Sequence, residues 1–115
     1  MAAHILQNHY VLAVHDLEAS ARFFCEALGF QVHMEPPGWV MVKRDNVMVM
    51  LGHCADASPA AELGDHNWFA YLRVDDVDAY HAEVVRHYPA EPPVTKPWGM
   101  RDFVVHTPEG HRIVI

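Results

Sequence analysis

Large apolar residues alternate from Ile5 to Val14, which places His9, Val11 and Ala13 on one side of an extended strand and Tyr10, Leu12 and Val14 on the other. The period then changes. Asp16 stands as an N-cap, Leu17, Ala21, Phe24 and Leu28 follow at helical spacing, and Gly29 sits where a left-handed C-cap belongs. The helix is expected on the Tyr10, Leu12, Val14 side, leaving the side with His9 free to line a concavity. Beyond Gly29 the pattern gives a short strand to about Met34, the breaker Pro36-Pro37-Gly38, a strand from Trp39 to Lys43, a turn at Asp45-Asn46 and a strand from Val47 to His53.

The same order then returns. Shifting the chain by sixty positions (76 minus 16) lays Leu12, Val14, Asp16 and Ala19 on Leu72, Val74, Asp76 and Ala79. The second copy reads as a strand from Asn67 to Val74, an N-cap at Asp76, a helix from Val77 to His87, and strands from Met100 to His106 and from His111 to Ile115 around the turn Thr107-Pro108-Glu109-Gly110. Between the last two helical and strand signals, Pro89 to Pro97 holds four prolines and predicts a loop with a short edge strand. The prediction is therefore an α+β protein made of two strand–helix–strands modules, about 4–54 and 66–115, joined by a linker at about 55–65 and forming a single domain over 1–115. The sequence stops inside a predicted strand, an ending compatible with a further C-terminal tail.

At 115 residues the chain is long enough for one core but not for two independent ones, so the modules should share it. No apolar run approaches the twenty or so residues of a membrane-spanning helix, and the N-terminus lacks a basic flank followed by an apolar stretch. Cys25 and Cys54 match no metal or redox spacing and read as free thiols in a cytoplasmic protein. A net charge of −7 disfavours nucleic acid and anionic membranes as partners and mildly favours a cationic small molecule.

The run His9-Tyr10-Val11-Leu12-Ala13-Val14-His15-Asp16-Leu17, with Phe23-Phe24, Leu28-Gly29-Phe30 and Thr107-Pro108-Glu109-Gly110-His111, resembles the vicinal oxygen chelate superfamily. That group includes glyoxalase I, extradiol dioxygenases, fosfomycin resistance enzymes and bleomycin resistance proteins. The resemblance implies paired βαβββ modules whose sheets curl around a cavity, the glyoxalase/bleomycin resistance fold, also called dihydroxybiphenyl dioxygenase-like. In its enzymes the resemblance also implies a divalent metal held by histidines and carboxylates. Aligned on that pattern, His9 takes the first-strand ligand position, but its counterpart in the second module is Phe69, the acid near the end of the last strand becomes Val114, and the fourth strand reads Val49-Met50-Leu51. One ligand position of the set is retained, below the three that such a centre needs. His9 then reads as a hydrogen-bonding residue of the cavity, and His66, three residues out of register, leaves a metal site open only through a register shift.

No nucleophile motif, helical metal motif or Gly-rich phosphate loop is present, so no catalytic residue and no cofactor is assigned. Phe69, Tyr71, Met48 and Met50 alternate toward the expected concave face, where the two methionines read equally well as core. Trp39 and Trp98 sit beside Gly or Pro at strand starts, an unusual setting for core tryptophans. The segment Pro97 to Phe103 is similar to one in bleomycin resistance proteins, whose metal-free members form homodimers with two clefts at the subunit interface. The expectation is a homodimer for antibiotic resistance by small-molecule binding: Trp39 and Trp98 stack on an amphipathic, cationic ligand, Phe69 and Tyr71 shape the floor with Met48 and Met50, and Arg101, Asp102 or His9 orients the ligand. The alternatives are a metal-dependent glyoxalase-type lyase or dioxygenase, in which His9 joins His66 or ligands from a second subunit, and a metabolite-binding accessory domain.

Overall fold

Asp16 and Asp76 build the two modules around the same local device. Each side chain accepts a hydrogen bond from the backbone N–H three residues on, Ala19 and Ala79, at 3.0 Å in both. A computed structural model of the chain describes residues 2–115, Asp65 in its backbone only, and Met1 lies outside them. The first module runs β1 (Tyr10–Val14), α1 (Leu17–Glu26), β2 (Gln31–Met34), β3 (Trp39–Arg44) and β4 (Val47–His53). These strands form one sheet in the order β1-β4-β3-β2, with β1 parallel to β4 and the other pairs antiparallel. The second module runs β5 (Trp68–Tyr71), α2 (Val77–Val84), β6 (Val94–Thr95), β7 (Arg101–Asp102), β8 (Val104–His106) and β9 (Arg112–Val114). Its sheet has the order β5-β9-β8, while β6 and β7 pair apart as a hairpin. The architecture is α+β with two paired modules.

The core lies between the modules. α1 buries Ser20, Phe23 and Phe24, Gly29 ends its turn at φ +75°, and the β1, β3 and β4 residues facing it, including Val14, Val42, Val49 and Leu51, are almost fully buried. Phe24 packs edge-to-face on Phe30 at 5.4 Å and reaches Phe69 of the second module at 6.4 Å, while Phe23 meets Tyr88 at 4.6 Å. Val84, Phe103, Val105 and Ile113 complete the same cluster. Two polar ties lock the modules further. The Glu109 carboxylate accepts from the backbone N–H of His15 at 2.8 and 2.9 Å and of Asp16 at 2.9 Å, so the last hairpin turn is fastened to the start of α1. Arg44, at the end of β3, donates to the Leu28 carbonyl at 2.8 Å, pairs with Glu83 of α2 and lies 4.5 Å over the Tyr80 ring, whose hydroxyl also donates to Leu28 O.

Several elements depart from the sequence pattern. The strand predicted from Ile5 begins only at Tyr10; in the register that sets Tyr10 against Val49, β4, starting at Val47, has no residue opposite Ile5, Leu6 or Gln7. Ile5 and Leu6 are left more than nine-tenths exposed. Ala60–His66, overlapping the second half of the expected linker, forms a 3-10 helix with its kink at Gly64. The predicted strand Met100 to His106 divides at Phe103, β7 joining β6 and β8 joining β9.

Candidate functional site

Alternation sends Val40, Val42, Val49 and Leu51 into the core, so their neighbours stand on the opposite face of the first sheet, which neither helix covers. Register turns these neighbours into rows. Val11 of β1 faces Met50 of β4, Met50 faces Met41 of β3, and Met41 faces Met34 of β2, an apolar row across all four strands. The next row is Ala13, Gly52 and Trp39, and beyond Met50 lies Met48 opposite Lys43. Val11 is 61% exposed, Met34 54% and Trp39 37%, large values for such residues. This face therefore carries an aromatic ring and polarizable thioethers with Lys43 as its ionised group.

The other half of the candidate set stands on the second module. A bulge between Trp68 and Ala70 interrupts the β5 register with β9, and Phe69 turns inward against Tyr10 at 5.5 Å, Phe24 and His111 instead of joining an open face with Tyr71. Trp68 takes the exposed position, with the Arg112 guanidinium 4.3 Å above its ring. Sequence alternation could not reveal this aromatic, because a bulge shifts the period without changing composition. Tyr71 is 47% exposed, and Trp98, at 72%, tops the β6–β7 hairpin with Gly99 at φ +91°.

Arg101 donates from Nη2 and Nε to Asp78 at 2.8 and 3.1 Å, and this guanidinium holds the Asp78 carboxyl below its usual range. Asp102 lies 3.8 Å from Lys96 Nζ. Both residues thus brace the hairpin that carries Trp98. Tyr71 and Arg101 line one cavity of about 190 Å³, whereas His9 and Met48 line another of about 440 Å³. Trp39, Met48 and Met50 share the open face of the first sheet, Tyr71 and Arg101 line one cavity on the second module, and Trp98 and Asp102 stand on the β6–β7 hairpin beside it.

Within one chain the donor set does not suit a metal. His9 is exposed with a hydrogen bond to Gln7 at 3.3 Å, Phe69 and Val114 are apolar at the matching positions, and among the described residues no three His, Cys, Asp or Glu side chains converge. His66 ends the 3-10 helix and does not enter β5, so no register shift brings it beside His9. Burial and the nearby Glu26 push the Cys25 thiol above its ordinary value, which makes it a poor thiolate.

Residues 6–115 match the family model described as Glyoxalase/Bleomycin resistance protein/Dioxygenase superfamily, and the chain belongs to that family. The fold agrees with solved structures of that kind. A bleomycin-binding protein from bleomycin-producing Streptomyces verticillus, complexed with copper(II)-bleomycin, superposes with a TM-score of 0.78 at 23% identity, over 98% of this chain and 96% of that one. An antibiotic-binding protein from Streptomyces sp. CB03234 gives 0.71 at 28% identity over 96% of each chain. A lactoylglutathione lyase from Agrobacterium tumefaciens gives 0.69 at 20% identity, over 98% of this chain and 92% of that one. No curated protein sequence matches.

Proposed function

We propose that the protein binds and sequesters an amphipathic, cationic small molecule with a flat aromatic portion, without a metal and without chemistry on the ligand. The observation that carries this reading is the uncovered Trp39 and methionine face of the first sheet. Flat apolar surface with few polar handles suits such a ligand, and the charge of −7 draws cations toward the protein before contact. Protection then follows from mass action: bound drug is withheld from its target in proportion to affinity and protein concentration. The antibiotic-binding and bleomycin-binding structural neighbours support the same choice over the lyase.

The reading includes a cytoplasmic homodimer in which Trp98 and Tyr71 of one copy close over Trp39 and Met50 of the other. The free cysteines fit that compartment. The exposed Trp39, Tyr71 and Trp98 rings supply the apolar surface that such an interface would cover.

Tryptophan-fluorescence titration with bleomycin tests the binding. Trp39→Ala and Trp98→Ala should each weaken it at least tenfold, the loss of a stacked ring worth roughly 1–3 kcal/mol, while the melting temperature moves by only a few degrees. Unchanged affinity in both variants would overturn the assignment. Light scattering should give twice 13.1 kDa, and a monomer at micromolar concentration would remove the second copy from the site.

A further inference from the structure

The row Ala13, Gly52, Trp39 contains the smallest side chains on the open face beside the largest. A Cβ placed on Gly52 would meet Cζ3, Cη2 and Cε3 of Trp39 at 2.9, 3.0 and 3.2 Å. These are three consecutive carbons of the benzo ring at nearly equal distances. An approach to the ring edge would set the flanking atoms well beyond the central one, so the indole lies face-down on the backbone of β4. Gly52 has no left-handed torsion that would demand glycine, and central strands ordinarily disfavour it. What glycine supplies here is room for a flat ring.

We infer that Gly52 is the specificity-determining residue of the stacking site: its missing side chain lets the Trp39 indole lie parallel to the sheet, presenting its free face to planar, polycyclic aromatic cations and not to bulky non-planar ones. The inference rests on the binding function proposed above. A methyl at position 52 cannot share the space with the ring, so the indole must tilt off the strand and present an edge. Side-chain freedom around Trp39 then rises and the ordered plane is lost.

The test compares ethidium, a planar aromatic cation, with tetraphenylphosphonium, which has the same charge and no plane. The wild type should prefer ethidium, and Gly52→Ala should reduce ethidium affinity at least tenfold while changing tetraphenylphosphonium by less than twofold. In a Trp39→Phe background, whose smaller ring tolerates the methyl, Gly52→Ala should cost less than twofold, so that the two substitutions couple. A readout without ligand accompanies this: in the Trp68→Phe, Trp98→Phe protein, Gly52→Ala should raise acrylamide quenching of Trp39. If Trp39→Ala weakens ethidium but Gly52→Ala changes neither affinity nor quenching, the glycine bed is wrong and the binding function stands. If Trp39→Ala leaves ethidium binding intact, the glycine bed is wrong with it, and if Trp98→Ala leaves it intact as well, the binding function fails too.

Discussion

The two modules begin alike and end differently. Their N-caps superimpose in chemistry and distance, yet α1 buries Ser20, Phe23 and Phe24 whereas α2 buries only Val84. The first sheet is four strands wide with an apolar open face. The second is three strands wide, interrupted by a bulge, and has shed a hairpin braced by Arg101 with Asp78 and by Lys96 with Asp102. A duplicated unit has thus divided its labour: the first copy supplies most of the core and a broad open apolar face, and the second supplies exposed Trp68, Tyr71 and Trp98 on a scaffold docked to the first.

That contrast can be broken at the core. Phe24→Ala, at a residue 1% exposed that links both modules, should cost about 3–5 kcal/mol. If the modules are one cooperative unit, hydrogen exchange should show amides of β9 and β4 losing protection together; persistent protection in the second module would mean that it folds alone. A smaller effect is expected at the clasp. Glu109→Ala leaves the N–H groups of His15 and Asp16 without their acceptor and should cost about 2–3 kcal/mol, Glu109→Gln roughly half of that, measured by urea unfolding. Equal stability in Glu109→Ala and wild type would show that packing alone docks the second module.

The smallest effect is one of pH. Burial, only partly offset by Glu109, holds the His111 imidazole below the ordinary value of about 6.5. The unfolded chain therefore takes up the proton first, so its share of stability is full above about 6.5 and is lost as pH falls through the lower folded value. Urea midpoints taken from pH 7.5 to pH 5 should decline more steeply in wild type than in His111→Gln. Parallel profiles would mean that the β8–β9 turn titrates no differently folded than unfolded.

Much of this was legible in the chain. The sixty-residue repeat is visible on the chain, and both aspartate caps, the Gly29 stop and the alternation that turns Met48 and Met50 away from Val49 and Leu51 are local signals; both helices and strands β2 to β4 formed near their predicted places. Less legible were the late start of β1, the division of Met100 to His106 and the exchange of Phe69 for Trp68. Each depends on where a partner strand begins, ends or slips, and a single strand carries no record of that.

Capping, turn formation and apolar periodicity act between residues a few positions apart, so the class of fold and the outward alternation of the first sheet's strands are written in the chain itself. Tertiary structure decided which aromatics remain outside. The shared core takes in Phe69, the bulge releases Trp68, and Gly52 receives the Trp39 ring, each a consequence of close packing between segments far apart in the chain.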